Sequence, residues 1–266
     1  MINADKQKKE PLFAEERKSK ILELLNENSK LVVPDLCEYF GVSPATVRND
    51  LRELENGGLL KRTHGGAILN TKTGYELNSY QKEVKNLAAK QAIARFAVNL
   101  VEDGDTIAID TGTTTLEFAK LLTSKKGITA VVNDIDIARQ LEENSDANII
   151  LAGGMLRRNF HCTVGPIAQK ALEGLSVDKA FIAANGVTVK RGLTTPDLTQ
   201  SEVKKAMINI TSEIIVLCDS SKIGNVAFSQ VVSLDKVNRL ITDDGAEERE
   251  LQEFRALGIL VDVIKI

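Results

Sequence analysis

The chain has 266 residues, long enough for a small domain and a second domain of about 200 residues, each with its own core. Its formal net charge of −3 is unlike that of a non-specific binder of nucleic acid, which is usually more basic. The three cysteines and two histidines lack the spacing of zinc ligands, and no apolar run is long enough to cross a membrane, so we expect a cytoplasmic protein without a metal, a cofactor or a membrane partner.

The start of the chain predicts a polar tail and one amphipathic helix. Residues 1–12 are polar and mixed in charge. From Phe13 to Asn28, the apolar residues Ile21, Leu24 and Leu25 fall on one side of a helix that carries many charges elsewhere. We expect this helix to support the two helices that follow.

Residues 33–68 predict two short helices around a tight corner, followed by a small hairpin. The first helix begins near Val33 and ends at Gly41, because glycine accepts left-handed dihedral angles without steric cost. Ser43 is suited to cap the second helix, which runs to the pair Gly57-Gly58. The glycines and flanking apolar residues after this pair are typical of a short two-stranded wing.

The outer face of the second helix and the wing carry side chains that suit a DNA groove. The first residues of a recognition helix meet base edges, while flanking cations bind phosphates. Two further interpretations remain open, a helical hairpin with solvated charges and a scaffold protein that uses its helices only for packing. The candidate DNA-binding residues are Ser43, Pro44, Ala45, Thr46, Arg48, Asn49, Arg52, Lys61, Arg62 and His64.

The remainder of the chain predicts a linker and an α/β domain. Residues 70–86 are polar and rich in turn formers, which indicates a linker. From residue 87 onward, short apolar strands alternate with helices, a pattern typical of a largely parallel sheet covered on both faces. We therefore predict a winged helix-turn-helix domain over residues 13–69 and an α/β domain over 87–266.

Polar loops follow several of the predicted strands. Thr106–Ile109 leads into Asp110-Thr111-Gly112-Thr113-Thr114, where backbone N–H groups at a helix start and threonine hydroxyls could form an anion cradle. A simple threonine-rich helix cap is the alternative. The loop has neither the Gly-Lys-Ser/Thr ending of a Walker loop nor the glycine spacing of a dinucleotide site. Other candidates at strand ends are Asn133, Gly153, Gly154, Arg157, Asp219 and Lys222.

The motifs GVSPATVRNDLRELENGGLLKRTHGGAI, DTGTTT, VVND, AGGMLRR, FIAANGV and CDSSK resemble the DeoR family of bacterial transcription regulators over nearly the whole chain. The resemblance implies a sensor domain similar in fold to ribose-5-phosphate isomerase and the coenzyme A transferases. It further implies that Thr111–Thr114 binds the phosphate of a phosphorylated sugar, while Asp110, Asn133, Gly153, Gly154 and Lys222 line the same pocket. Asn49 and Val132 depart from residues common in the family.

The related fold leaves a sugar-phosphate isomerase as the alternative function. Such an enzyme needs a carboxylate base beside the substrate carbon. The acidic loop of the isomerases is replaced here by Ala183-Ala184-Asn185-Gly186, and Glu202 is explained more simply as a helix cap. We therefore expect no enzymatic activity, but a repressor of a sugar-catabolic operon that binds operator DNA and a phosphorylated sugar as a homodimer or homotetramer.

Overall fold

A computed structural model describes residues 12–28, 30–56, 59–69 and 76–266 of the chain. The chain divides into two compact units, Met1–Tyr75 and Glu76–Ile266. Three parts of these predictions lie outside the described residues: residues 1–11 of the tail predicted over 1–12, the glycine pair at 57–58, and residues 70–75 of the linker predicted over 70–86.

In its described residues, the first unit combines three helices with a small antiparallel sheet. Gly41 ends the second helix with φ of 64°, as predicted. A Cβ on Gly66 would lie 1.9 Å from the carbonyl oxygen of Leu31, so only glycine lets β3 pair with β1 here. The elements are α1 Ala14–Asn28, β1 Lys30–Val32, α2 Val33–Phe40, α3 Pro44–Asn56, β2 Leu60–Thr63 and β3 Gly66–Leu69.

This unit is the predicted helix-turn-helix with a wing. The wing strands β2 and β3 pair antiparallel, and β1 adds a third strand beside β3. Ile21, Leu25, Leu36, Val47 and Leu51 are buried together, so all three helices contribute to one core. The outer face of α3 is therefore left to solvent.

A buried ion pair joins α1 to α3 within this core. Arg17 contacts Asp50 through two parallel interactions, Nε to Oδ2 at 2.5 Å and Nη2 to Oδ1 at 3.0 Å. The two residues are only 8% and 5% exposed. The sequence pattern did not reveal this role for Asp50, which lies among the apolar inward positions of α3. The two parallel contacts hold α3 at a fixed angle to α1.

The second unit is built around a parallel sheet. Its elements, in chain order, are α4 Ser79–Val84, α5 Leu87–Ala97, β4 Thr106–Ile109, α6 Thr113–Leu121, β5 Thr129–Val132, α7 Ile135–Asn144, β6 Asn148–Leu151, β7 Met155–Arg157, β8 Cys162–Val164, α8 Pro166–Leu172, β9 Val177–Ala183, β10 Gly186–Thr188, β11 Gly192–Thr195, α9 Leu198–Asn209, β12 Thr211–Leu217, β13 Ser229–Val232, β14 Arg239–Asp243, α10 Glu248–Ala256 and β15 Leu260–Ile264.

The seven strands of the central sheet follow the order β15-β14-β12-β9-β4-β5-β6, and every neighbouring pair is parallel. One core, which includes Phe118 and Phe181, lies on one face, and a second, which includes Val203 and Met207, lies on the other. The predicted doubly covered α/β sheet is confirmed. The carboxyl ends of β4, β5, β9 and β12 consequently meet at one edge, where the polar loops lie.

Some elements differ from the prediction. Helix α4 lies inside the predicted linker, because Asn78 and Gln81 form a reciprocal capping box in which Gln81 N donates to Asn78 Oδ1 at 2.9 Å. The sequence from Ala88 to Leu100 predicts one helix, but the α-helix ends at Ala97 and the chain continues as a 3-10 turn over Val98–Leu100. The small strands β7, β8, β10, β11 and β13 were not predicted, because short antiparallel hairpins carry little periodic signal.

We expect Asp50→Ala to loosen the first unit, because it leaves the Arg17 guanidinium buried without its partner. Removing one member of a buried ion pair costs about 3 kcal/mol or more. Hydrogen exchange of the α3 amides should report this loss of local stability. As a control, Glu53→Ala removes a solvent-exposed partner of Lys18 and should leave α3 exchange nearly unchanged. Equal exchange in both variants would contradict the assigned role of the pair.

Candidate functional sites

The start of α3 is organised by its own polar side chains. Thr46 N donates to Ser43 Oγ at 3.2 Å, so Ser43 caps the helix as predicted. Further along the helix, Arg52 Nη1 donates to Asn49 Oδ1 at 3.2 Å, while Arg48 is exposed. These groups share the solvent-facing side of the helix-turn-helix. The predicted residues on this side are Ser43, Pro44, Ala45, Thr46, Arg48, Asn49 and Arg52, all exposed or partly exposed.

The wing forms the other wall of a groove of about 720 Å³ that includes Arg48 and His64. Arg62 is held toward α3 by Glu55, which accepts from Arg62 N at 2.9 Å and contacts Arg62 Nε at 2.9 Å. Sequence analysis did not single out Glu55. Within the described residues, Lys61 and His64 make no ion pair, so both remain available to an anionic partner.

In the second unit, Asp110 ends β4 and is completely buried. It forms an ion pair with Lys204 of α9, which is itself 1% exposed. Asp110 Oδ2 also accepts from Ala183 N at 3.0 Å, and Lys204 Nζ donates to Ala183 O at 2.9 Å. The predicted ligand residue Asp110 therefore fixes the loop after β4 to the end of β9 and to the middle of α9.

Two other predicted ligand residues also use their polar atoms internally. Thr111 N donates to Asn133 Oδ1 at 3.2 Å, and Thr111 Oγ1 donates to Asp134 Oδ2 at 2.5 Å. Asn133 Nδ2 in turn donates to Thr163 O at 3.3 Å. These hydrogen bonds connect the loop after β4 to the loop after β5, so Thr111 and Asn133 hold the two loops in place.

The first turn of α6 has donors that remain open. Among residues 76–266, the N–H groups of Thr113 and Thr114 have no acceptor, whereas Thr115 Oγ1 donates to Gly112 O at 2.9 Å. A Cβ on Gly112 would lie 2.7 Å from Ala183 Cβ, so a glycine is needed where this loop meets β9. Open N–H groups at a helix start favour an anion.

Gly153, Gly154 and Arg157 lie on the loop and strand that follow β6. Gly154 has φ of 151°, and a Cβ there would lie 2.9 Å from Val164 O. Arg157 Nη1 donates to Gln200 Oε1 at 2.9 Å, and its guanidinium lies 3.7 Å from the centroid of the Phe160 ring. The Arg157 charge is therefore held in place by neighbours.

Asp219 and Lys222 lie beside a group of lysines from α4 and α5. Lys222 Nζ is 3.7 Å from Asp219 Oδ2, and Asn86 Nδ2 donates to Asp219 Oδ1 at 2.8 Å. Lys90 Nζ donates to the carbonyl of Lys82. Burial, together with the charges of Lys222 and Lys82, lowers the pKa of Lys90 to about 8, even though Asp219 opposes the shift. This concentration of positive charge suits an anionic ligand.

Sequence analysis missed four charged residues of this site, Glu76, Lys82, Lys90 and Lys204. Three of them lie on helices, where isolated lysines usually face solvent. A signal was available for Lys90 and Lys204, because both occupy positions among the apolar inward residues of α5 and α9.

Family models match both units of the chain. Residues 17–73 match the DeoR-like helix-turn-helix domain, and residues 85–244 match the DeoR C terminal sensor domain. The chain belongs to the DeoR family. The predicted resemblance is thereby confirmed over most of the sequence.

Relatives of this DeoR-family protein are similar along almost their whole length. The HTH-type transcriptional regulator GlpR of Haloferax volcanii is 37% identical over 246 residues, covering 92% of this chain and 96% of the relative. The putative aga operon transcriptional repressor of Escherichia coli O157:H7 is 30% identical, with coverage of 94% and 93%. The HTH-type transcriptional repressor GlcR of Bacillus subtilis is 33% identical, with coverage of 87% and 89%. The DeoR-family chain is a transcriptional regulator and not an enzyme.

Solved structures similar to the DeoR-family chain include enzymes and translation factors. Ribose 5-phosphate isomerase A from Methanocaldococcus jannaschii aligns with a TM-score of 0.40 and 20% identity over 52% of this chain and 55% of that one. The eIF2B delta subunit from Chaetomium thermophilum aligns with a TM-score of 0.43 and 17% identity over 60% and 57%.

Within the described residues of the DeoR-family chain, no helix has the length and apolar character needed to span a bilayer.

Asp134 gives the sensor unit of the DeoR-family protein a pH-dependent contribution to stability. Burial raises the pKa of Asp134 to about 6, although Thr111 and the backbone N–H groups of Asp136 and Ile137 donate hydrogen bonds to its carboxylate. The pKa of an aspartate in an unfolded chain is about 3.9. Between these values the folded state binds more protons, so the contribution of Asp134 to stability falls as pH rises to about 6 and is constant above it.

We expect Asp134→Asn to remove this dependence, because the amide oxygen still accepts the two backbone hydrogen bonds but does not ionise. Relative to this variant, the wild type should become more stable by about 2 kcal/mol as pH falls from 7 to 4. Thermal unfolding at several pH values measures the difference. The control Asp146→Asn replaces an exposed carboxylate and should follow the wild type. Parallel pH profiles of wild type and Asp134→Asn would refute the assignment.

Proposed function

We propose that this DeoR-family regulator represses a carbohydrate-catabolic operon and that a phosphorylated sugar, bound in the sensor unit, modulates its binding to operator DNA. The observation that carries the proposal is the open helix start at Thr113 and Thr114 in a unit that also collects lysines around Asp219. The similarity to the putative aga operon transcriptional repressor supports repression of an operon. The domain bounds 13–69, 70–86 and 87–266 and the cytoplasmic location remain predictions.

The DNA-binding half of the proposal assigns α3 to the major groove. Arg48 and Arg52 would contact guanine edges or phosphates, and Ser43, Thr46 and Asn49 offer neutral donors and acceptors. Lys61, Arg62 and His64 of the wing would contact the adjacent backbone. A homodimer or homotetramer would present two such units to a symmetric operator.

The sensor half assigns the phosphate to the first turn of α6. Helix N–H groups favour a phosphate dianion, and Lys222 and Lys90 add positive charge. Asp219 is a carboxylate acceptor that suits sugar hydroxyls. Asp110, Thr111 and Asn133 hold the loops in place, and Gly112, Gly153 and Gly154 allow close approach of the backbone. The ligand changes DNA affinity only through its differential affinity for two arrangements of the regulator.

We expect Arg48→Ala to weaken binding to a DNA duplex that the wild-type protein enriches from a random pool. The loss should be about 1–3 kcal/mol if Arg48 makes a bidentate base contact. Fluorescence anisotropy at fixed salt measures it. Arg95→Ala, which removes an exposed arginine from the sensor unit, is the control and should bind the same duplex with wild-type affinity. Unchanged affinity in Arg48→Ala would exclude this contact.

We expect Thr113→Ala combined with Thr114→Ala to impair the ligand response while DNA binding is retained. Both hydroxyls flank the proposed phosphate position at the start of α6. A panel of phosphorylated sugars should raise the melting temperature of the wild type, since a ligand of the folded state stabilises it by mass action. The shift should shrink in the double variant and persist in Thr123→Ala, which lies past the end of α6. A wild-type shift in the double variant would place the phosphate elsewhere.

A further inference from the structure

Glu76, the first residue of the second unit, is bound inside that unit. Its side chain is only 4% exposed. Glu76 Oε1 lies 2.5 Å from Lys82 Nζ and accepts from Asn185 Nδ2 at 3.2 Å, while Oε2 lies 2.8 Å from Arg157 Nη2. The chain that arrives from the DNA-binding unit is therefore anchored by a buried carboxylate.

The cations that hold Glu76 belong to the candidate ligand site. Lys82 interacts electrostatically with Lys222 and Lys204, and its carbonyl accepts from Lys90. Arg157 follows the Gly153-Gly154 turn and also lies 3.3 Å from Asp197. A phosphorylated ligand among these lysines would approach the same positive charges that Glu76 neutralises.

The Glu76 carboxylate is the weaker of two competing anions. Burial would raise the pKa of Glu76, but the charges of Lys82 and Arg157 outweigh burial and lower it, so the carboxylate is ionised near neutral pH. Its Oε2 contact with Arg157 is an ion pair without hydrogen-bond alignment. A phosphate dianion carries more charge and more acceptor oxygens, so it is the stronger partner for both cations.

We propose that Glu76 acts as an internal counter-anion that competes with the phosphate of the ligand for Lys82 and Arg157, and that its displacement releases the point where the chain enters the sensor unit. This inference rests on the proposed function, because it requires a phosphorylated ligand in the sensor. It adds a transmitting residue that lies outside the ligand contacts assigned above.

Release of Glu76 has a direct route to the DNA-binding unit, because the polypeptide continues from residue 75 into Glu76. Only a few other contacts hold the segment that follows. Ser79 N donates to Asn159 O at 3.0 Å, and Asn78 caps α4. When Glu76 is displaced, the residues before α4 lose the ion pairs that hold them. The state with Glu76 paired and the state with Glu76 displaced are the two arrangements for which a ligand must differ in affinity.

The test measures binding of inorganic phosphate to the full-length protein through the rise in melting temperature, at constant ionic strength. Glu76→Gln keeps the shape and removes the competing charge. Its apparent dissociation constant for phosphate should fall about tenfold below that of the wild type, a change of about 1.4 kcal/mol. Glu83→Gln is the matched control, since Glu83 lies on the helix that follows Glu76, α4, and has no hydrogen-bond or ion-pair partner in the described part of the chain.

The outcomes separate the two proposals. Equal phosphate affinity in wild type and Glu76→Gln overturns the competition and leaves the proposed function standing. Absence of phosphate binding in every variant overturns the phosphate site and the competition together. If Glu76→Gln fails to fold, Glu76→Asp replaces it, because the shorter side chain keeps the charge but reaches the cations poorly. It should then bind phosphate more tightly than the wild type, and equal affinity would again overturn the competition.

A second readout follows DNA affinity for the enriched duplex. Glu76→Gln without phosphate should already show the affinity that the wild type shows when saturated with phosphate, and added phosphate should change it less than about twofold. A purely structural role of Glu76 would leave the phosphate response intact. A full response in Glu76→Gln would therefore contradict the proposal.

Discussion

The buried ion pair of Asp110 and Lys204 is the interaction on which the sensor unit depends. Two charges in a dry interior must satisfy each other, since an unpaired one costs several kcal/mol. Both also bond to the backbone of Ala183, so β4, β9 and α9 meet at one point. The conformation of the loop after β4 is thereby fixed. In this conformation Gly112 lies close to Ala183, and α6 begins with N–H groups that have no acceptor.

The polar network around this pair separates structural residues from residues free to bind. Thr111 and Asn133 form hydrogen bonds with each other and with Asp134 and Thr163. They determine where Thr113 and Thr114 lie, and the latter are left with unpaired donors. In the same unit, Lys82, Lys90 and Lys222 gather near Asp219, and the nearby carboxylates neutralise their charge only in part. Such an imbalance is costly in a closed core, and it is useful where an anion arrives from solvent.

Local patterns were sufficient for the larger helices and the central sheet, but not for the small antiparallel strands, for α4 or for the charged network. In the central sheet, apolar runs such as Thr106–Ile109 predict strands, because a strand in the middle of the sheet is buried and has few polar positions to interrupt the run. The capping box at Asn78, and with it α4, was not predicted because the surrounding residues are polar. The inward position of Lys204 could be predicted from α9, but its partner could not, since Asp110 lies far away in the chain, as Arg157 does from Glu76. In α3, the pairing of Asp50 with Arg17 was hidden for the same reason.

In each unit a carboxylate holds cations beside a candidate binding site. Glu55 holds Arg62 beside the groove, and Glu76 holds Lys82 and Arg157 beside the ligand site. The central claim is that the groove and the sensor are coupled. The most direct measurement is the affinity of the stabilising sugar phosphate for the regulator alone and for the regulator saturated with its duplex. Our account predicts that the duplex changes this affinity by the same factor by which the sugar phosphate changes duplex affinity. An affinity that is identical with and without the duplex would contradict it.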